Sequence, residues 1–213
     1  MCLLSHISEG EYYMSQKWNI GILIFNEVEV LDVAGPFEVF SITTCPKTNE
    51  KPFTVKTVAQ TKNIISARNG LKIQPEYDFN DAPPFDIVII PGGYGAEEIE
   101  IHNKRVIEWI KETSENVSLL ASVCTGSFLL AEAGLLDGKM VTTHWIDIDR
   151  LEKEYPRLII QRGVKYVDEG KIITAGGISA GINMSFHIVK KLLGEEIAKA
   201  TAKRMEYDID LDS

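Results

Sequence analysis

The chain has 213 residues, 45% of them hydrophobic and 25% charged, and its formal net charge is −9. This length suits one globular domain with a sizeable hydrophobic core. The acidic balance argues against nucleic acid as the main partner, because such a surface needs clustered Lys and Arg. No apolar run approaches the roughly 20 residues of a membrane-spanning helix, so no membrane partner is predicted either.

Residues 1–16 are predicted to form a loose N-terminal extension, followed by a single domain over residues 17–213. The extension has no basic leader and only a very short apolar run, so it does not resemble a secretory signal. The three cysteines, Cys2, Cys45 and Cys124, are odd in number and widely spaced. Free thiols in a reducing cytoplasm are therefore predicted, rather than a disulfide framework.

Residues 18–25 form a near-continuous apolar run, which predicts a strand covered on both faces. The pattern then predicts, in chain order, a helix at 37–42, a strand at 53–59, a hairpin at 64–73, a strand at 85–90 and a helix at 99–113. It continues with a strand at 117–123, a helix at 125–133, a strand at 140–143, a helix at 146–154, a hairpin at 164–174, and helices at 179–193 and 195–205.

Strands that alternate with helices indicate an α/β sandwich of three layers, with a mostly parallel central sheet and helices on both faces. Functional groups in such sheets gather at the carboxyl ends of the strands. Three features follow predicted strands: Asp32 after the first, the pair Gly92 and Gly93 after residues 85–90, and Cys124 after residues 117–123. We therefore expect these residues to meet at one edge of the sheet.

The stretch LLASVCTGSFLL places Cys124 where a buried strand changes directly into a helix. A cysteine at such a corner has an exposed sulfur, and the adjacent helix N-terminus is expected to lower its pKa. The backbone N–H groups of Thr125, Gly92 and Gly93 could stabilise negative charge on a substrate, and Gly126 is a further candidate for substrate binding. The alternative is a buried cysteine that only packs against the sheet, and spacing leaves both open.

Two further side chains are candidates for acid–base chemistry. Asp32 is either a catalytic carboxylate or the N-cap of the following helix, a position that Asp favours. His144, in the stretch TTHW, is either a base or orienting partner for Cys124 or a structural histidine. The four histidines lack the spacing of metal ligands, so no metal site is predicted.

Four segments of the sequence resemble the ThiJ/PfpI superfamily, a flavodoxin-like group related to class I glutamine amidotransferases. They are ILIFNEVEVLDVAGPFEVF, FDIVIIPGGYGAEE, SVCTGSFLLAEAGLLDGKMVTTHW and TAGGISAGINMSFHIV. The resemblance covers about residues 18–193, and within the group it is greatest to the isonitrile hydratase branch. It implies a flavodoxin-like sandwich, a small-molecule substrate, no cofactor, and a homodimer with the site near the subunit interface.

The resemblance also implies roles for individual residues. Cys124 matches the family nucleophile, Thr125 its neighbour, and His144 a histidine that several branches carry. The carboxylate that faces the cysteine corresponds to Asp32, where protease-like, deglycase-like and glyoxalase-like branches have Glu. The implied reaction hydrates an isonitrile to an N-substituted formamide. Cys124 would form a thioimidate, and Asp32 would protonate the carbon or the nitrogen and then activate water.

Two other functions share the same motifs. One is a glyoxalase-like or deglycase-like enzyme that acts on reactive carbonyls. The other is a non-enzymatic redox or ligand sensor, related to the amidase-like domains of AraC-type regulators, in which oxidised Cys124 would carry the signal. Those regulators continue into a helix-turn-helix domain that this sequence does not show, which favours the enzyme.

Overall fold

The computed structural model describes residues 17–46 and 48–209, so the predicted extension at 1–16, with Cys2, lies outside the described residues. The strands within them are β1 (Trp18–Leu23), β2 (Phe53–Ala59), β3 (Ile65–Ser66), β4 (Lys72–Ile73), β5 (Tyr77–Asp78), β6 (Ile87–Ile90), β7 (Leu119–Val123), β8 (Met140–Val141), β9 (Ile159–Ile160), β10 (Tyr166–Asp168) and β11 (Ile172–Ala175). The α-helices are α1 (Val30–Ile42), α2 (Lys104–Asn116), α3 (Gly126–Glu132), α4 (Ile148–Glu154), α5 (Ala180–Leu193) and α6 (Glu195–Arg204).

Seven strands form the central sheet, in the order β10-β11-β7-β6-β1-β2-β5. Neighbouring strands are parallel throughout, except that β10 runs antiparallel to β11. Every residue of β6 and β7 is buried. Continuous apolar strands of this kind need cover on both faces, as parallel sheets require. The predicted mostly parallel sheet is confirmed.

Helices cover both faces of this sheet. The crossover β1-α1-β2 runs in the opposite direction along the sheet from β6-α2-β7. Because such crossovers are almost always right-handed, α1 and α2 lie on opposite faces. Helices α5 and α6 pack with α1, and α3 packs with α2. The result is the predicted three-layer α/β sandwich. None of the helices in the described ranges is long and apolar enough to cross a bilayer.

Helix α1 begins earlier than the sequence pattern predicted, at Val30 rather than at residue 37. Its N-cap residue is Glu29, whose side chain makes no capping hydrogen bond. Asp32 therefore lies inside the first turn, and the interpretation of Asp32 as an N-cap is wrong. In the stretch VLDVAGPF one side of the helix is buried, at Asp32, Val33, Gly35 and Pro36, and Pro36 is accommodated within it.

The segment after β6 also differs from the expectation of one helix over residues 99–113. A wide helical turn at Gly95–Ile99 and a 3₁₀ turn at Glu100–His102 come first, and α2 begins only at Lys104. A Cβ atom on Gly95 would lie 2.0 Å from the carbonyl oxygen of Asn26. This close approach, which only glycine permits, packs the segment against the loop that leads into α1.

Candidate active site

Cys124 is the corner residue between β7 and α3. Its φ is 55°, a left-handed conformation that costs a non-glycine residue on the order of 1–3 kcal/mol. Several hydrogen bonds hold this backbone, among them those of Cys124 N–H to the carbonyl oxygen of Ala175 at 3.1 Å and of the Thr143 hydroxyl to the Cys124 carbonyl at 2.9 Å. The surrounding structure thus maintains the strained corner that the sequence predicted.

Asp32 faces the thiol of Cys124 from the first turn of α1. It is completely buried; its Oδ2 accepts a hydrogen bond from Gly92 N–H at 2.9 Å, while Oδ1 has no partner. Burial raises the pKa of Asp32 to about 8, and the charge of Glu29 adds to this, whereas the Gly92 N–H and the Cys124 thiol lower it. At neutral pH the side chain is therefore mainly a carboxylic acid.

The thiol of Cys124 has a raised pKa, contrary to the expectation of an activated thiolate. Burial is the main cause, and the neighbouring Asp32 is the next. The N–H of Thr125 lowers the pKa, but by less. Helix α3 has only seven residues, and its N-terminus does not offset the desolvation of the sulfur. Any reaction at this sulfur must therefore remove the thiol proton as the new bond forms.

The glycine N–H groups that were expected to bind substrate are instead occupied within the protein. Gly92 N–H binds Asp32, and Gly93 N–H donates to the Thr125 hydroxyl at 2.9 Å. The expected oxyanion role is therefore not supported for this pair. Both glycines permit close packing: a Cβ on Gly92 would lie 2.5 Å from Thr125 N, and one on Gly93 2.5 Å from Glu29 N. Gly126 does the same, since a Cβ there would lie 2.2 Å from the Ile90 carbonyl oxygen.

His144 lies near the sulfur of Cys124 and lines the same cavity. Its Nδ1 is 3.3 Å from Asp147 Oδ2, and both side chains are mostly buried. A Cβ on Gly177 would lie 2.1 Å from His144 Cδ2 and 3.0 Å from Cys124 Sγ, so this glycine brings ring and thiol together. Gly177 was not among the site residues predicted from the sequence. It could have been predicted from the pair Gly176-Gly177, which follows β11, the strand beside β7 in the sheet.

Cys124 opens onto a cavity of about 320 Å³, a size suited to a small molecule. Asp32 is not among the residues that line it, although its side chain interacts with the Cys124 thiol. The lining consists of Glu29, Arg68, Gly93, Glu97, Cys124, Thr125, His144, Ile146, Asp147 and Ile178. The charged residues of this lining come from four separate segments of the chain, and none of them was predicted as a site residue from the sequence.

A larger cavity, of about 420 Å³, lies at the opposite end of the sheet, where Phe85 and Val117 precede β6 and β7. It is lined by the stacked rings of Phe79 and Trp109, and no thiol faces it. The described part of the chain contains no cluster of His, Cys, Asp and Glu side chains that could hold a metal ion. The chemistry is therefore assigned to the smaller cavity.

The relatives of this chain among known proteins include an enzyme and a transcriptional regulator. The chain is 32% identical to isonitrile hydratase of Pseudomonas putida over 189 residues, which cover 88% of this chain and 78% of that protein. It is 25% identical to the HTH-type transcriptional regulator GbdR of Pseudomonas aeruginosa over 190 residues, or 89% of this chain. The match spans only 51% of the regulator, so this chain corresponds to about half of it.

Solved structures of related proteins have the same fold. A ThiJ/PfpI family protein from Pseudomonas syringae superposes with a TM-score of 0.79 at 23% identity, covering 100% of this chain and 86% of that one. Drosophila melanogaster DJ-1beta gives a TM-score of 0.77 at 17% identity, covering 91% and 100%. These likenesses confirm the flavodoxin-like sandwich. Residues 19–191 match the model of the DJ-1/PfpI family, and the chain belongs to that family.

Proposed function

We propose that the protein hydrates an isonitrile to an N-substituted formamide, with Cys124 as the nucleophile. The observation that carries the proposal is the pairing of a buried, protonated Asp32 with the Cys124 thiol beneath a small cavity. An isonitrile is neutral and weakly basic at its terminal carbon, so it needs an acid as well as a nucleophile. The identity to isonitrile hydratase over most of both chains supports this substrate class.

The first step is the addition of the thiol across the terminal carbon of R–NC. Asp32 donates its proton to that carbon as the sulfur of Cys124 attacks it. The thiol proton passes to the Asp32 carboxylate, so the acid is regenerated and the product is the thioimidate R–N=CH–S–Cys124. The raised pKa of both groups suits this exchange, because both are protonated at neutral pH and no free thiolate has to exist beforehand.

The second step is hydrolysis of the thioimidate. As water adds to the former isonitrile carbon, Asp32 donates its proton to the imidate nitrogen and accepts one from the water, which regenerates the acid. As the adduct collapses, Asp32 takes the proton of the new hydroxyl group and gives its own proton to the sulfur. The C–S bond breaks, R–NH–CHO leaves and the sulfur regains its proton. The Thr125 N–H favours the departing thiolate, because it already lowers the pKa of the sulfur. All atoms of the product come from the isonitrile and water, so the proposed reaction needs no cofactor.

The regulator relatives support a second candidate, a domain that binds a small molecule without converting it. The similarity to GbdR extends over 89% of this chain and includes the segments around Asp32 and Cys124. The raised thiol pKa weakens the version of this candidate in which the cysteine is a redox sensor, since oxidation needs the thiolate. A binding domain would take up ligand in the same cavity and release it unchanged.

Formamide production from a simple alkyl isonitrile tests the enzyme proposal directly. Wild-type protein should turn the substrate over, and Cys124→Ala should not. Cys45→Ala is the matched control, because Cys45 is an equally buried free cysteine in the loop after α1. Absence of turnover by folded wild-type protein, with methylglyoxal consumed instead, would replace the proposal with the reactive-carbonyl function. Saturable binding without turnover of either compound would favour the binding domain.

We further propose that the protein acts as a homodimer in a reducing compartment, the cytoplasm. Trp145 and Ile146 are 76% and 63% exposed beside the cavity, which supports an interface near the site. Cys45 and Cys124 are free thiols in the described part of the chain, as a reducing compartment favours. Light scattering at micromolar concentration should give the mass of a dimer, and a monomer would contradict this proposal.

A further inference from the structure

The cavity over Cys124 has an excess of negative charge. Three carboxylates line it, those of Glu29, Glu97 and Asp147, against the single guanidinium of Arg68. The carboxylate side chains are 19%, 17% and 19% exposed, whereas Arg68 is 47% exposed. Charges that are mostly buried are screened less by water and salt than an exposed one. The acidic groups therefore dominate the potential inside the cavity.

Ion pairs within the protein do not cancel this charge. Glu97 lies 3.5 Å from Arg150, but Arg150 also binds Glu98 at 2.8 Å and Glu154 at 3.0 Å, so one cation serves three carboxylates. Arg68 approaches Glu29 only to 3.9 Å. The remaining carboxylate, that of Asp147, faces His144, which is cationic only when protonated. A molecule in the cavity therefore meets a net negative field.

This field reaches the reacting sulfur. The charges of Asp147 and Glu97 both contribute to raising the pKa of Cys124, after burial and Asp32. The mutual repulsion of Glu97 and Asp147 is also visible in the raised pKa of Glu97, where burial is the first cause and Asp147 the second. A charged group close to the sulfur of Cys124 would therefore be attracted or repelled by the same carboxylates.

We propose that this cavity selects its substrates by charge, with Glu97 as a specificity-determining residue. Molecules that are neutral, or that carry a cationic group near the reacting carbon, are admitted to Cys124, and molecules that carry a carboxylate are rejected. As a statement about isonitriles this rests on the proposed function, but selection by charge at Cys124 can be measured without it.

Methanethiosulfonate reagents provide the measurement. The sulfur of Cys124 attacks their sulfenyl sulfur and loses its proton to water as the bond forms; a mixed disulfide results and methanesulfinate leaves, so no further oxidant is required. We compare the trimethylammonioethyl reagent with the sulfonatoethyl reagent, which are similar in size and opposite in charge. Modification of Cys124 is followed by peptide mass spectrometry at neutral pH and low salt. Each rate is divided by the rate for the same thiol in the unfolded chain.

The cationic reagent should react with Cys124 faster than the anionic one by roughly tenfold or more after this normalisation. The preference should shrink at high salt, as a cavity open to solvent is screened. Equal normalised rates, or a preference for the anionic reagent, would overturn the proposal.

Glu97→Gln should reduce the preference severalfold, because it removes one carboxylate and keeps the shape of the side chain. Glu98→Gln is the matched control: Glu98 is the next residue and binds the same Arg150, but it does not line the cavity. The preference should be unchanged in this control. An equal effect of both substitutions would show that Glu97 has no special part and would overturn its assignment.

Isonitriles with an ammonium, a neutral or a carboxylate tail connect the result to catalysis. We expect kcat/KM to fall in that order in the wild type and the difference to narrow in Glu97→Gln. Charge-selective labelling without hydration of any isonitrile would leave the inference standing and remove the proposed function. Hydration of all three isonitriles at similar kcat/KM, with labelling rates independent of charge, would support the proposed function and overturn the inference of charge selection.

Discussion

The cavities at the two ends of the central sheet differ in the chemical groups that line them, and the larger cavity is not the reactive one. The amino-end cavity is larger, about 420 Å³, and contains the stacked rings of Phe79 and Trp109. The carboxyl-end cavity is smaller, about 320 Å³, yet it contains the left-handed Cys124 and lies above the buried Asp32. Parallel strands bring their carboxyl ends to one edge, where the loops that follow them converge. Reactive groups from distant segments therefore meet at the carboxyl end of the sheet. The cavity at the amino end has no thiol among the described residues that line it.

The sharpest test of this contrast is removal of the sulfur. Cys124→Ala should lower formamide production by at least about a thousandfold, because no other group in the cavity can form the covalent intermediate. The fold should persist, since alanine fits the space of a buried cysteine. The assay is steady-state turnover of an alkyl isonitrile, with circular dichroism to verify folding. Substantial residual activity in the folded variant would show that the cysteine is not the nucleophile.

Asp32→Asn should have the next largest effect, a loss of roughly a hundredfold or more in kcat, because the amide cannot donate the proton. In the wild type, activity should fall as pH rises through about 8, where the acid form of Asp32 is lost. A pH–rate profile of kcat checks both. Near-normal rates in Asp32→Asn would contradict the assigned role.

The same substitution should also change how stability depends on pH. The pKa of Asp32 is raised on folding from 3.8 to about 8, so the folded protein holds a proton that the unfolded chain has released. Its contribution to stability is complete at pH values below the unfolded pKa and is lost progressively as pH rises to the folded pKa. The slope is about 1.4 kcal/mol per pH unit in that interval. Urea denaturation of wild type and Asp32→Asn should differ by this slope, and parallel curves would argue against the raised pKa.

Gly177→Ala should reduce kcat by about tenfold or more, because the added methyl group would displace His144 or the sulfur. Gly176→Ala is a closely matched control. A Cβ there would first meet the Thr143 carbonyl oxygen at 3.6 Å, an ordinary contact. Steady-state kinetics should separate the two variants. Equal activities would show that the close packing around the thiol does not matter for turnover.

Changes at the amino-end cavity should affect stability alone. Phe79→Ala removes the ring stacked on Trp109 and should cost about 1–3 kcal/mol in the free energy of unfolding. Formamide production should remain within about twofold of wild type, because this cavity lies at the opposite end of the sheet. Urea denaturation and steady-state kinetics measure the two quantities. A large loss of kcat would mean that the two ends are not independent.

Much of the fold could be predicted because its signals are local. Apolar runs in the sequence predicted the strands β1, β6 and β7. The alternation of these runs with helical patterns indicated a parallel sheet. The boundaries were less accurate where tertiary contacts decide them. Helix α1 begins at Val30, where Asp32 and Val33 are buried and the helix packs against α5, and the segment after β6 is bent where Gly95 packs on Asn26.

The site was predictable in its identity but not in its electrostatics. Asp32 and Cys124 follow strands of the central sheet at its carboxyl edge, so the order of elements was enough to place them near one another. His144 follows β8, which pairs with β9 outside the central sheet, and only the tertiary structure brings it to the site. The expected low pKa of Cys124 was wrong, because the sequence showed a helix N-terminus but not the depth of burial. Gly92 and Gly93 were correctly placed at the site, but their N–H groups bind Asp32 and Thr125.

The sequence by itself determined the sheet, the strand-to-helix corner at Cys124 and the family, since these depend on periodicity and on short motifs of neighbouring residues. Only the tertiary structure decided the protonation of Asp32 and Cys124, the contact of Gly177 with the thiol, and the acidic lining from Glu29, Glu97 and Asp147. Desolvation and electrostatic potential are sums over all neighbours in space. Those neighbours come from segments far apart in the chain, so no local pattern contains them.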